Sequence, residues 1–498
     1  MKFNNKLLFF AVFLSLASCD SDLLEPQTPG VLTEELAIRS STDLTRLTNN
    51  IYVALYGRSD IEFTSVFTDE IAPGITNGGQ GINDSYAFIL TPSSASANGI
   101  WNTANVTLAR ANKVIVNADR LLLDPIIGAN AAQVNAIKIL KAEALTLRAY
   151  AHIRLVSYFS PNPKDDAAFA GVLALTELAL DTNFPRATNG ATYAAIHTDL
   201  DNAIALFGTA GLNPIRANRF AARALKARAY ALKGDYPNAL TQANLVITAS
   251  GAPALSTFST YQSVFTDASA GETLFKLGRV VNQSAQATNL GNIYASVSST
   301  INGSPFYEVN RALYNALPNG DVRKLVIPDA TSIIDPNYLT STSYKTTDVI
   351  PVGKHPGTPA RGQLNADFKL IRMSEMHLIK AEAEVAAGQL LTAATTLKVL
   401  LDARFATPQL APVFASAQDA WRFILNQRRI EFAFEGYRFI DLKRLGGAAF
   451  ANVSIDRHPL DCTASVNCTL PVTDYRFALP IPTVETNPNP TITQNPGY

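Results

Sequence analysis

Hydrophobic residues recur at helical spacing along most of the chain. From Asp43 to about Ile61 they stand three or four residues apart, at Leu44, Leu47 and Ile51, which is the period of one face of an α-helix. The same spacing predicts helices over 101–123, 131–159 and 192–207, and helical pattern returns from 371 to about 445. The pattern therefore predicts a mostly α-helical protein.

Three of the predicted helices share an internal repeat. The strings ILKAEALTLRAY (139–150), ALKARAYALKGDY (224–236) and LIKAEAEVAAGQL (378–390) all contain two apolar residues followed by Lys-Ala-x-Ala. The second copy matches the tetratricopeptide pattern, with small Ala227 and Ala239 on either side of a Gly234-Asp235-Tyr236 turn. Small residues at these positions allow paired helices to approach closely. The repeat predicts a tetratricopeptide-type helical scaffold.

Two long segments lack this pattern. Residues 73–100 are rich in Gly, Asn, Ser and Thr, which predicts a long loop. Residues 251–370 are rich in Ser, Thr, Asn, Gly and Pro with short β-branched runs, which predicts a loop-rich inserted subdomain carrying minor β structure. Because loops on a rigid scaffold tend to carry binding sites, we expect a shallow ligand site where these two segments meet.

The N-terminus predicts export and a lipid anchor. Basic Lys2 and Lys6 precede an apolar run from Leu7 to Ala17, which is too short to span a bilayer comfortably and is typical of a secretory signal. The string Leu-Ala-Ser-Cys ending at Cys19 resembles a bacterial lipobox. We therefore expect a signal peptide over 1–18, acylation of Cys19, for example by palmitate, and a tether over 19–41.

Composition and charge narrow the class of protein. The 498 residues carry 41 Lys and Arg against 41 Asp and Glu, and charged residues make up only 16%. A net charge of zero argues against nucleic-acid binding.

Besides Cys19 the chain has only Cys462 and Cys468. In an oxidising envelope compartment this pair predicts a disulfide that closes a small loop.

A pair of carboxylates raises the alternative of a glycoside hydrolase. Glu431 and Glu435 stand four apart on a predicted helix, and glycosidases use two carboxylates. The favoured interpretation is structural ion pairs with the surrounding cations Arg428, Arg429, Arg438, Lys443 and Arg444. We expect no enzyme activity, no cofactor and no metal. Glu375 and His377 are spaced unsuitably for a metal pair, and His152 is predicted to be a hydrogen-bonded helix residue.

Three C-terminal strings together resemble the SusD/RagB family of Bacteroidetes outer-membrane nutrient-binding lipoproteins. They are RMSEMHLIKAEAE (372–384), NQRRIEFAFEGYRFIDLKRLG (426–446) and RFALPIPTVETNPNPTITQNPGY (476–498). The lipobox, the following DLLEPQTPG and the helix opening at Trp101 also suit the family, and the resemblance covers essentially the whole mature chain. Departures from the family pattern are His377, where the family usually has Tyr, and Tyr437 and Phe439 in place of His and Trp.

The resemblance implies a cell-surface protein that performs no chemistry on its ligand. Such proteins capture an oligosaccharide or peptide and deliver it to a SusC-like, TonB-dependent outer-membrane transporter. The implied organisation is an N-terminal repeat region over 42–250, the insertion over 251–370, and a C-terminal region over 371–498 with the last repeat and an irregular tail. A tetratricopeptide envelope scaffold without a small ligand is a third alternative. The nutrient, the transporter stoichiometry and the leaflet orientation stay open.

Loop aromatics and one amide are the candidate ligand contacts. Aromatic faces stack on sugar rings and peptide side chains, and amides supply neutral hydrogen bonds. The candidates are Tyr86, Trp101, Asn102, Tyr294 and Tyr307. Core packing is the alternative for Trp101, and it is also the default for Trp421.

Overall fold

Helices predominate in the structure, a computed structural model, as the sequence predicts. It describes residues 34–55, 58–74, 83–177, 183–280, 289–295, 305–335, 348–358, 362–446, 454–462 and 467–498. The helices in these ranges are α1 (Glu34–Ala37), α2 (Ser41–Leu55), α3 (Ser59–Phe67), α4 (Ala95–Leu123), α5 (Pro125–Gly128), α6 (Ala131–Phe159), α7 (Asn189–Phe207), α8 (Arg219–Lys233), α9 (Tyr236–Ile247), α10 (Tyr261–Phe265), α11 (Arg311–Asn315), α12 (Met373–Ala386), α13 (Leu390–Arg404), α14 (Ala417–Glu431), α15 (Arg438–Leu445) and α16 (Thr483–Thr486).

The long helix α6 lies at the centre of the N-terminal half. It packs against α2 and α4 on one side and against α7 on the other. From Ala142 to Phe159 every side chain of α6 is buried, which a helix enclosed on all sides requires. Its first turn is capped by Asn130, whose side chain accepts a hydrogen bond from the Gln133 amide at 3.2 Å.

A continuous stack of helices follows, in which α6, α7, α8, α9, α12 and α13 each pack against the next. The three copies of the sequence repeat lie in α6, α8 and α12, the first helix of each successive pair. Ala227 of α8 and Ala239 of α9 are fully buried, as predicted for a close helix crossing. Gly234 ends α8 in the left-handed region at φ +83°. The assignment of these pairs to the tetratricopeptide type stays a prediction.

Short antiparallel strand pairs join the remaining segments. In the described residues the strands are β1 (Ile71–Pro73), β2 (Thr273–Leu277), β3 (Tyr307–Val309), β4 (Gly357–Thr358), β5 (Gly362–Gln363), β6 (Phe368–Arg372), β7 (Ser454–Asp456) and β8 (Thr469–Pro471). They pair as β1–β3, β2–β6, β4–β5 and β7–β8. The β2–β6 pair crosses the expected boundary at residue 370, so the insertion and the C-terminal region share a buried sheet.

Helix α4 begins at Ala95, six residues before the start that the sequence predicts. The small polar residues of its first turns have a composition typical of a loop. Their small size also allows the helix to lie close to α3. A Cβ atom at Gly99 would approach the Ser59 hydroxyl oxygen to 2.7 Å. The predicted loop over 73–100 is therefore too long at its C-terminal end, because tertiary contact favours helix there.

Arg186 attaches the C-terminal tail to the helical body. Its buried guanidinium donates to the Phe159 carbonyl at 3.0 Å, to the Ala170 carbonyl at 2.8 Å and to the Asn495 side-chain oxygen at 2.9 Å. Burial lowers the pKa of Arg186 to about 10.

In the part of the chain that the structure describes, no helix is both long and apolar enough to cross a bilayer.

Candidate functional site

The two segments expected to hold the ligand meet at the β1–β3 pair. Ile71 lies opposite Val309, and Pro73 lies opposite Tyr307. Just beyond β1, the Gly74 amide donates to the Phe306 carbonyl at 3.0 Å. A Cβ atom at Gly74 would lie only 1.9 Å from the Pro305 carbonyl oxygen, so the approach requires glycine. The predicted convergence of the 73–101 segment and the insertion is present.

Four of the five predicted ligand contacts are buried, which is contrary to a role as exposed stacking platforms. Tyr86, Trp101, Tyr294 and Tyr307 are at most 5% exposed, whereas Asn102 is exposed on α4. The Trp101 ring packs edge-on against Phe159 with ring centroids 4.9 Å apart. Trp101 is therefore a core residue, the alternative that the sequence left open.

Tyr294 and Tyr86 fix elements of the fold. The Tyr294 ring lies parallel to His355 and edge-on to Phe434, and its hydroxyl is 3.0 Å from that of Ser65. The Tyr86 hydroxyl donates to the Asp461 carbonyl at 2.8 Å. Polar sequence around these rings indicated loops correctly, but the rings point inward because they fill space between segments distant in sequence.

Arg457 explains why the Tyr86 ring is buried. Its guanidinium lies 4.1 Å from the Tyr86 ring centroid and donates to the carbonyls of Val66, Phe67 and Thr68. These carbonyls end α3, where a cation is favoured by the helix dipole. Burial lowers the pKa of Arg457 to about 10. The arginine and the ring together hold the C-terminal end of α3.

A small neutral surface is exposed beside the β1–β3 pair. We call Asn83, Phe306 and Tyr307 the β1–β3 rim. Asn83 is exposed and donates from its side chain to the Tyr307 hydroxyl at 3.4 Å, and the Phe306 ring is half-buried. Burial raises the pKa of Tyr307 well above its usual range, so its hydroxyl stays neutral. The exposed Asn83 amide and the half-buried Phe306 ring, backed by the buried Tyr307 hydroxyl, form the type of surface that recognises neutral polar ligands.

A second cleft was not indicated by the sequence, because its walls come from distant segments. It is an open cleft of about 610 Å³ between α2, the segment before α8 and the end of β2. The Arg216 guanidinium lies 4.4 Å from the Tyr52 ring centroid, 2.7 Å from the Glu143 carboxylate, and donates to the Asn49 side-chain oxygen at 2.6 Å. These contacts hold the cleft wall in one conformation.

The candidate catalytic carboxylates are locked in a buried charge cluster. Arg372 donates to Glu431 at 2.6 Å, to Glu272 at 2.6 Å and to both oxygens of Glu435 at 2.8 Å. Arg404 donates to both oxygens of Glu431, at 2.9 and 2.7 Å. All five side chains are at most 2% exposed. Structural ion pairing is thereby confirmed.

The electrostatic balance of the cluster keeps these carboxylates ionised. Burial alone raises the pKa of Glu431, but Arg404 and Arg372 outweigh it and hold that pKa well below its usual range. The pKa of Glu435 is likewise lowered, against the effect of burial, by Arg372 and by Lys354 at 2.7 Å. A general acid needs a raised pKa and access to substrate, and this pair has neither.

The predicted cationic partners of these glutamates are wrong. Arg428 and Arg444 instead pair with Glu382 and Asp441, while Arg429 and Arg438 pair with Asp69. Lys443 donates to the Ser157 carbonyl at 2.9 Å. Sequence neighbours of Glu431 point to other sides of α14 and α15. The cations that reach it are Arg372 of β6, Arg404 of α13 and, at 3.3 Å, Arg323 of the insertion.

The histidines offer no metal site in the described ranges, where no suitable group of ligands occurs. Glu375 pairs with Arg228 at 2.7 Å, and burial lowers the pKa of His377 to about 4. His152 is fully buried without a hydrogen-bond partner for either ring nitrogen, so the predicted hydrogen bond is wrong. Burial lowers its pKa to about 3, so the ring is neutral.

The remaining predicted positions concern cysteine. The Cα atoms of Cys462 and Cys468 lie 5.7 Å apart, within the usual spacing for a disulfide. Cys19 lies outside the described residues.

Comparison with known proteins places the chain in one family. Residues 302–498 match the family model described as the SusD family, and residues 26–231 match one described as "Starch-binding associating with outer membrane". SusD-like protein P2 of Formosa agariphila is 24% identical over 99% of both chains. Together the two models cover most of the chain, from near its N-terminus to its end.

Solved structures share the fold. A SusD superfamily protein of Bacteroides thetaiotaomicron superposes with a TM-score of 0.78 at 22% identity, over 92% of this chain and all of that one. A laminarin-binding SusD-like protein superposes with a TM-score of 0.64 at 21% identity, over 92% of this chain and all of that one. The two family matches, the full-length relative and the shared fold agree: the chain belongs to the SusD family.

Proposed function

We propose that this protein is a non-catalytic carbohydrate-binding lipoprotein that captures an oligosaccharide at the outer membrane and passes it to a SusC-like, TonB-dependent transporter. The family model that matches the N-terminal half is described by starch binding and outer-membrane association, and one structural neighbour binds laminarin. A neutral ligand suits a chain of zero net charge. A peptide ligand is the alternative within the same role.

The observation that carries this proposal is the contrast between two groups of polar residues. Glu431 and Glu435 are buried and neutralised by cations, whereas the β1–β3 rim presents the Asn83 amide and part of Phe306 to solvent, in front of the buried Tyr307 hydroxyl. Sugar hydroxyls are recognised by such neutral donors and acceptors together with aromatic surface. The contrast favours binding over hydrolysis.

Affinity electrophoresis tests the ligand site. The full mature chain is run through native gels containing starch, laminarin or no polysaccharide. We expect retardation by a neutral glycan, and we expect Asn83→Ala with Phe306→Ala to weaken it at least tenfold, about 1.4 kcal/mol. The matched control is Asn202→Ala with Phe169→Ala, exposed residues of the same types elsewhere.

Other outcomes would favour the alternatives. Retardation that the rim variant leaves unchanged would move the site elsewhere, for example to the Arg216 cleft. Glycan cleavage lost on Glu431→Gln in a folded protein would favour a hydrolase. Binding to neither glycans nor peptides, with retained association to envelope proteins, would favour a scaffold.

The anchor and the partner are tested separately. Cys19→Ala should release the protein from outer membranes, because each buried acyl methylene contributes about 0.8 kcal/mol to membrane binding. Mass spectrometry of the parent should find acyl chains on Cys19. Capture of the solubilised lipoprotein should bring down a large outer-membrane barrel, and its absence would contradict the transporter role.

A further inference from the structure

A small cavity lies where the helix stack meets the C-terminal region. Its volume is about 60 Å³, and its wall is built from α3, α6, α8, β6, α12, α14, α15 and the turn before α15. These elements come from segments far apart in sequence, on both sides of the insertion. Whatever occupies the cavity therefore contacts both the N-terminal helices and the C-terminal helices.

Charged side chains of both signs line the cavity. Four arginines and four carboxylates contribute to its wall, and they include the pairs Arg228 with Glu375 at 2.7 Å and Arg428 with Asp441 at 2.8 Å. Aliphatic side chains complete the wall. Because the positive and negative groups are equal in number, the wall favours neither a cation nor an anion. Its occupant should be neutral and able both to donate and to accept hydrogen bonds.

A third ion pair in the wall is only partly satisfied. One terminal nitrogen of Arg154, on α6, lies 3.2 Å from one carboxylate oxygen of Asp60, on α3. Both residues are more than nine-tenths buried. Among the described residues, the Asp60 Oδ1 and the Arg154 Nε have no hydrogen-bond partner. Leaving buried polar atoms unpaired is costly, and most such atoms in native proteins have a partner. A partner that reaches this pair from the cavity would remove the cost.

Water has the size and the chemistry that the cavity requires. Cavities that stay empty in proteins are apolar, whereas buried waters occupy polar sites where several groups can bind them. Each water takes roughly 30 Å³ in the liquid, so a volume of about 60 Å³ has room for about two. The Tyr150 ring, whose centroid lies 5.9 Å from the Arg154 guanidinium, also lines the cavity and adds a hydroxyl group to its wall.

We propose that this cavity binds about two ordered water molecules, which complete the Asp60–Arg154 pair and connect it to the ion pairs of the C-terminal helices. The inference does not depend on the proposed glycan ligand. Helix α3 leads into β1, which pairs with the strand that carries Tyr307. The waters thereby help to hold the segment beside the β1–β3 rim against the helix stack.

Magnetic relaxation dispersion of water oxygen-17 counts the internal waters that exchange slowly with solvent. The full mature chain is compared with Ala231→Leu and Ser157→Val, which add carbon atoms to the cavity from α8 and from α6. We expect each folded variant to lose about one or two slowly exchanging waters relative to the parent. Ala194→Leu, at an exposed position on α7, is the matched control and should keep them all.

A crystal structure of the parent at high resolution tests the occupant directly, including the case in which neither variant folds. Water density within hydrogen-bond distance of the Asp60 Oδ1 and the Arg154 Nε supports the proposal. A cavity without density overturns it, as does density for an ion or an organic molecule. An unchanged count of slowly exchanging waters, in a folded variant whose new side chain fills the cavity, also overturns it.

Discussion

Asp69 and Glu70 are consecutive, fully buried carboxylates whose surroundings move their pKa values in opposite directions. Burial raises the pKa of Asp69, but Arg429 and Arg438 outweigh it and lower that pKa to about 2. Glu70 accepts from the Phe434 amide at 3.1 Å, and Arg438 lowers its pKa by less than burial raises it. Burial therefore raises the pKa of Glu70 to about 7. Near neutral pH Asp69 is therefore ionised, whereas its neighbour Glu70 is about half protonated.

We expect Glu70→Gln to change the pH dependence of stability in one direction. Because the folded pKa of Glu70 lies above its ordinary value of 4.5, its stabilising effect is complete below pH 4.5 and is lost as pH rises toward 7. The loss amounts to about 3 kcal/mol. The Gln variant should lack this decline. Its free energy of unfolding, measured in urea, should therefore rise relative to that of the parent between pH 5 and 8.

Asp69→Asn is the matched control and should act with the opposite sign. The folded pKa of Asp69 lies below its ordinary value of 3.8, so its stabilisation is present above pH 4 and is lost as pH falls toward 2. The Asn variant should be destabilised at pH 7 by about 2 kcal/mol or more, since Arg429 and Arg438 lose their partner. Identical pH profiles for the two variants would contradict these assignments.

Glu431→Gln should destabilise the fold rather than remove a reaction. It leaves Arg372 and Arg404 buried with one fewer negative charge, and breaking a buried ion pair costs about 3–5 kcal/mol. Urea unfolding followed by circular dichroism measures the change. Glu35→Gln, at an exposed position on α1, should be neutral. If the Glu431 variant were as stable as the parent, the buried charge cluster would contribute little to the stability of the fold.

Ala227→Trp should unfold or badly destabilise the helix stack. Ala227 is fully buried in α8, and overpacking a tight helix crossing costs about 1–3 kcal/mol or more. Ala194→Trp, at an exposed position on α7, is the control for adding an indole to a helix. Thermal melting distinguishes the two, and equal melting temperatures would show that the crossing is loosely packed.

Cys462 and Cys468 should be oxidised in the exported protein. Their Cα spacing of 5.7 Å suits a disulfide, and the loop between them is short. We expect removal of the bond to cost about 2 kcal/mol. Thiol labelling of the denatured, unreduced protein should modify neither residue, whereas labelling at both positions would contradict the bond.

Local pattern was sufficient to locate most of the helices and the repeat, although not every helix end. The spacing of apolar residues predicted α6 over 131–159 with both ends correct, and the repeat strings mark the first helix of each successive pair. The C-terminal motifs led to the SusD family, which the comparisons confirm. These features depend on residues close together in sequence, where helical period and capping act directly.

Burial of the aromatics and the partners of the charges were decided by the tertiary structure alone. Tyr86 and Trp101 stand in polar sequence, yet Arg457 and Phe159, distant in the chain, enclose them. Glu431 is neutralised by Arg372 and Arg404 rather than by its neighbours in sequence. Sequence shows which polar and aromatic groups are available, but burial and ion pairing depend on which segments pack together, and that follows from long-range contacts that local periodicity does not encode.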